Sequence, residues 1–149
     1  MKGLILVFAV IATSCFASVI EQNYSDAVRT AWKVCKTDDM SDETYYNMTE
    51  GQQMPKTKPE KCFKYCLSKQ LGHMDGNTVN SQAVMDSNKK LFTDPKDAEK
   101  VNGMWNVCLT TVGIKEDECE TSSALTVCLM TAVLSGGLSL PSMAPPGQS

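Results

Sequence analysis

Seven cysteines and a single histidine are the side chains in this sequence best suited to covalent, metal or acid-base chemistry. Thiols pair as disulfides, hold zinc or act as nucleophiles, and an imidazole ligates or moves a proton. Which of these applies depends on the compartment, and the N-terminus speaks to that. Lys2 gives a short positive start, Leu4 to Ile11 with Ala12 forms an apolar run of about nine residues, and Cys15-Phe16-Ala17 supplies the small residues a signal peptidase reads. Residues 1–17 are therefore expected to be a signal peptide, cleaved after Ala17, with cleavage after Ser18 as the alternative. A membrane anchor needs about 20 apolar residues. This run ends too early, at Thr13-Ser14.

Cleavage takes Cys15 away and leaves Cys35, Cys62, Cys66, Cys108, Cys119 and Cys128, an even set that in an oxidising compartment means three disulfides. Six cysteines can pair in fifteen ways, and their chemistry alone does not choose among them. Thiols committed to disulfides are lost to zinc, and one imidazole cannot build a metal site. A Ser-His or Cys-His nucleophile would have to use His73. A disulfide-rich helical phospholipase would need a His-Asp pair beside a cysteine-rich helix and a calcium loop, whereas His73 sits between Gly72 and Met74. No catalytic residue, metal or cofactor is expected, and the chain does not read as an enzyme.

The elements that must position these cysteines read as helices, with strand signals nearly absent. Ala27, Val28, Ala31, Trp32 and Cys35 recur at helical spacing over about Ser25 to Cys35. Ser41 can cap a short helix through Tyr45, Tyr46 and Met48 that Gly51 would end. A third helix begins near Pro59 and carries Cys62, Phe63, Cys66, Leu67 and Leu71 on one face before Gly72. Met74-Asp75-Gly76-Asn77 reads as a turn-rich connection. A weaker periodicity runs from Asn80 to Phe92. Asp94-Pro95-Lys96-Asp97 is the strongest helix start in the chain, opening a stripe of Val101, Met104, Trp105, Cys108, Leu109 and Val112. The last helix, about Ser122 to Ser135, is apolar nearly all round and should be central. The segment 138–149 holds three prolines and no charged side chain, so it is a tail and not another long helix.

Removing 17 residues from 149 leaves 132, a length suited to one domain over 18–149. Its net charge is −4, because Lys2 leaves with the signal and no acid does. Without a basic stripe there is no electrostatic case for nucleic acid.

The gaps between successive mature cysteines are 26, 3, 41, 10 and 8 residues. Three between the second and third put both sulfurs on one helical face, and eight between the last two allow one on a loop and one inside the final helix. With these spacings the sequence resembles the insect odorant-binding proteins of the pheromone-binding and general-odorant-binding superfamily, over essentially the whole mature chain. The resemblance implies an all-α domain of about six short helices around an apolar cavity. It also implies pairing of first with third, second with fifth and fourth with sixth, which here gives Cys35-Cys66, Cys62-Cys119 and Cys108-Cys128. These bridges would tie the third helix to the first and to the loop before the last.

The function that the resemblance implies is reversible carriage of small hydrophobic molecules, odorant or pheromone-like, through extracellular fluid. A membrane receptor and a second copy of the chain are the further partners it admits. The alternative is a secreted lipid-binding or membrane-active helical domain, which would need a broad exposed apolar face. The pocket wall is expected to be drawn from Leu67, Val84, Leu91, Phe92, Met104, Trp105, Leu109, Val112, Leu125, Leu129 and Val133, although stripe position alone does not separate a lining residue from a core residue. His73 has the ordinary role of a solvated loop residue beside Gly72. If it is instead neutral and packed near a loop closing the pocket, protonation would weaken binding, as some members of the family release ligand when pH falls. Asn23 and Asn47 stand in glycosylation sequons, and the expectation is that they are unoccupied surface asparagines.

Overall fold

The computed structural model describes residues 26–49 and 53–139. The expected signal peptide with Cys15, the acceptor Asn23, the stop at Gly51 and the proline-containing part of the tail lie outside them. Along the described residues the order is α1 over residues 26–35, α2 Asp42–Thr49, α3 Lys58–Gln70, β1 Met74–Asp75, β2 Thr78–Val79, α4 Ser81–Leu91, α5 Pro95–Val112 and α6 Glu118–Ser135. The fold is all-α.

Side chains just ahead of each helix fix where it starts, because the first backbone N–H groups have no partner inside the helix. Ser41 Oγ accepts from Thr44 N at the head of α2. At α3, Thr57 and Glu60 form a reciprocal box: Glu60 N donates to Thr57 Oγ1, while Lys56 N and Thr57 N both donate to Glu60 Oε2. Asp94 accepts from Lys96 N at 2.8 Å and Pro95 fills the first turn, so α5 starts where the sequence motif put it. The last helix differs from expectation. Asp117 accepts from Glu120 N at 2.9 Å, and Glu118 and Glu120 place two acids at the positive end of the helix, so α6 begins at Glu118 and not near Ser122. Cys119 therefore lies in the first turn of α6 and not on a loop, and its disulfide joins two helices.

A second difference is the connection after α3. Met74-Asp75-Gly76-Asn77 is half of a small antiparallel hairpin in which Met74 faces Val79 and Asp75 faces Thr78. Its two-residue turn needs a residue that takes positive φ, and Gly76 sits at +55°. Strands of two residues are too short for period-two alternation to register.

The helices pack as two halves with separate cores. Val28, Trp32, Met40, Met48, Phe63 and Leu67 form the first, from α1, α2, α3 and the turn between the first two. Val84, Trp105 and Leu125 form the second, from α4, α5 and α6. Helix α6 joins the halves, packing on both α3 and α5, with Leu125, Met130 and Val133 buried. It is central, as its composition suggests, although Leu134 remains 53% exposed.

Three disulfides cross these contacts, in the pairing the resemblance implies. Cys35-Cys66 ties α1 to α3, Cys62-Cys119 ties α3 to α6, and Cys108-Cys128 ties α5 to α6. In the loop-entropy picture each is worth about 3 to 4 kcal/mol. Lys61 and Glu120 pair at 3.0 Å beside the central bridge, and Lys58 pairs with Asp117, whose carboxyl it holds below the usual carboxylate range. From α3, Lys64 donates its Nζ to Met48 O near the end of α2, and burial brings its pKa down to about 8.

Candidate functional site

Helices α3 to α6 and the hairpin leave a cavity of about 160 Å³ between them. Its apolar wall is Met74, Val84, Trp105, Leu125, Leu129 and Met130. Ser68, His73, Asn88, Ser122 and Thr126 supply the polar part. The contribution of α6 follows from helical geometry: Ser122, Leu125, Thr126 and Leu129 stand at i, i+3, i+4 and i+7, on one face over two turns. That face is mixed, hydroxyls beside leucines.

Each remaining wall is held by a specific bond. Trp105 is 5% exposed and donates its indole N–H to Ser81 Oγ at 2.8 Å, which satisfies the one polar atom of the ring and leaves its apolar surface to the cavity. Asn88 donates from Nδ2 to Asn102 Oδ1 at 2.9 Å, pinning α4 on α5. Ser68 and Ser122 meet at 3.1 Å between their hydroxyl oxygens, across the contact of α3 and α6.

His73 is not the solvated loop residue expected from its neighbour Gly72. Its backbone N–H donates to Ser68 O at 2.7 Å and its carbonyl accepts from Asn80 N at 2.8 Å, so the hairpin folds the ring inward. There Nε2 lies 2.7 Å from Ser87 Oγ. Burial without an anionic partner disfavours the imidazolium and brings the pKa down to about 4, so the ring is neutral at physiological pH.

The described residues thus combine an all-α fold, three bridges among six cysteines and a cavity beside Trp105. A protein-family model described as the PBP/GOBP family matches residues 17–132. The chain belongs to the PBP/GOBP family. No curated protein matches it significantly. PBP/GOBP proteins are carriers of odorants and pheromones and not enzymes. Among the described residues no helix is long and apolar enough to cross a membrane.

Of the eleven residues from which a PBP/GOBP pocket was expected, Val84, Trp105, Leu125 and Leu129 line the cavity. Leu109 and Val112 pack on the core around it without lining it. Val133 is buried in the interior of α6, and Met104 is half-buried with its Cε 2.5 Å from where a Cβ on Gly136 would stand. Leu67 belongs to the first core, because its side of α3 faces α1 and α2. Leu91 is half-buried at the end of α4. Phe92 lines a different groove, of about 510 Å³, with Pro95 and Ala98.

The lining residues that sequence reasoning passed over are Met74, Met130 and the polar ones. Met74 lies in what reads as a turn. Ser122 and Thr126 had a signal: they share the helical face of Leu125 and Leu129, and hydroxyls on a buried apolar face are the pattern of an amphipathic pocket.

Proposed function

We propose that this protein is an extracellular carrier that reversibly binds a small hydrophobic molecule in the cavity beside Trp105, secreted after loss of residues 1–17, with 18–149 as its single domain. The observation that carries the proposal is the cavity itself, walled by Val84, Trp105, Leu125 and Leu129, with two disulfides tying α3 and α5 to α6 beside it. Transferring apolar surface from water into such a space is worth about 25 cal/mol per Å². A molecule that water dissolves poorly is thereby held without a covalent bond or a cofactor.

Competitive displacement of a fluorescent apolar probe tests this. Saturable binding of one probe per chain, reversed by small uncharged organic compounds, is the expected outcome. Probe binding that no small molecule displaces, together with flotation of the protein on lipid vesicles, would replace the carrier by a membrane-active or lipid-binding domain.

A further inference from the structure

Given a carrier whose ligand sits beside Trp105, the size and polar lining of the cavity narrow the class of molecule it can hold. At about 160 Å³ the space is close to the roughly 150 Å³ of an apolar cavity that takes benzene, and well below the roughly 300 Å³ at which drug-sized sites begin. Enlarging it is costly. The ring of Trp105 is fixed by Ser81, Leu125 is 2% exposed, and Cys62-Cys119 and Cys108-Cys128 tie α6 to the helices on either side. A long acyl or alkyl chain is too large to be buried in this volume.

Three hydroxyls of the lining stand where α3 meets α6. Ser68 and Ser122 share a single hydrogen bond, so one of their two O–H groups is spent and the other has no acceptor among the described residues. Thr126, one turn along α6 from Ser122, brings a third hydroxyl that no hydrogen bond within the described residues uses. Asn88 and His73 are each partly committed, Asn88 Nδ2 donating to Asn102 Oδ1 and His73 Nε2 meeting Ser87 Oγ. None of the lining side chains is a lysine or arginine, and a carboxylate buried there would be uncompensated.

We infer, resting on the carrier reading, that the cavity takes a compact, uncharged molecule of about benzene size carrying one hydroxyl, an alcohol or a phenol. Its oxygen sits in the Ser68, Ser122 and Thr126 corner and its apolar body lies against Trp105, Leu125 and Leu129. A hydroxyl suits this corner because it accepts from the unspent O–H and donates to the neighbouring oxygen. A hydrocarbon of the same shape leaves those groups unanswered, and a hydrogen bond of this kind changes affinity by about fivefold.

Displacement assays on shape-matched pairs test the inference: p-cresol against p-xylene, cyclohexanol against methylcyclohexane, with 1-hexadecanol for size and benzoate for charge. Expected is a preference of about fivefold for the hydroxylated member of each pair, with hexadecanol and benzoate at least tenfold weaker than p-cresol. Thr126→Val, which keeps the shape, and Ser122→Ala should each move the cresol-to-xylene ratio toward one. Equal affinity for cresol and xylene, or hexadecanol binding tighter than cresol, overturns the ligand class and leaves the carrier standing. If no compound of any class displaces the probe, the carrier reading falls and this inference with it. Should Ser122→Ala fail to fold, the wild-type pairs and Thr126→Val decide the matter.

Discussion

Trp105 on α5 donates its indole N–H to the hydroxyl of Ser81, the first residue of α4, at 2.8 Å. A buried indole needs a partner for its single polar atom, and this bond supplies one while fixing the ring in the cavity wall. Trp32 lies elsewhere. It packs edge-on against Tyr45, 6.2 Å between ring centroids, in the core of α1, α2 and α3.

Ligand should therefore be reported by one tryptophan and not the other. Trp105→Phe is expected to abolish the change in intrinsic fluorescence on ligand binding, and Trp32→Phe to preserve it. Emission spectra of the two variants, with and without a saturating ligand, check this. The reverse pattern would place the ligand in the α1-α2-α3 half.

His73 sets an acid limit. Its pKa is about 4 in the fold and about 6.5 when unfolded, so between those values the unfolded chain binds the extra proton. The contribution of the neutral ring is complete above about pH 6.5 and is lost as pH falls toward 4, amounting to about 3 kcal/mol. Stability from urea unfolding should decline over that window in wild type and decline less in His73→Gln. The hydrogen-bond partner of the ring, Ser87, does not titrate in this range. Ligand affinity should stay nearly flat from pH 7.5 to 5 and fall only near pH 4. A steep loss of affinity between pH 7 and 6 that survives His73→Gln would assign the response to another group.

The helices were legible because their signals are local. Asp94-Pro95 at α5 and the stripe from Val101 to Val112 read directly onto the structure, and the cysteine spacings led to the resemblance that carried the pairing. The start of α6 was missed because Asp117 is a cap embedded in an acidic run that reads as loop. The inward turn of His73 depends on Ser68 and Asn80 gripping its backbone through the hairpin, a tertiary arrangement that no periodicity encodes. The cavity wall was legible only in part for the same reason. A stripe shows that Leu67 and Leu125 are both buried, but only packing decides that one joins the α1-α2-α3 core and the other borders a void.

The central bridge should matter most to stability. Cys62 and Cys119 are 57 residues apart and Cys108 and Cys128 only 20, so the loop-entropy model assigns the first about 4 kcal/mol and the second about 3. Replacing each pair by alanines and comparing urea midpoints at equal m-value tests the order. The Cys62 and Cys119 double variant should also bind ligand more weakly, because that bridge holds the α3-α6 contact at which Ser68 and Ser122 meet. A smaller loss of stability than for the other pair would mean that native packing across α3 and α6, not loop closure, dominates.

Two leucines separate cavity wall from core. Leu125 is 2% exposed and borders the cavity, while Leu67 is 8% exposed in the other half of the molecule. Truncation of either to alanine should cost about 2 to 5 kcal/mol. Leu125→Ala belongs toward the upper end, because its neighbours already face a void and have little on that side to collapse onto. Their effects on binding should diverge. Leu125→Ala joins new volume to the existing cavity, so a two-ring alcohol such as 2-naphthol should gain affinity relative to p-cresol, by tenfold or more if the added ring is fully buried. Leu67→Ala opens space in a core that the ligand does not reach, and the naphthol-to-cresol ratio should remain that of wild type. Ligand at 100 times its Kd should restore about 2.7 kcal/mol to Leu125→Ala, measured at matched saturation for each protein. If the size preference shifts in Leu67→Ala and not in Leu125→Ala, the ligand occupies the half of the molecule around Trp32, and the cavity beside Trp105 is packing space alone.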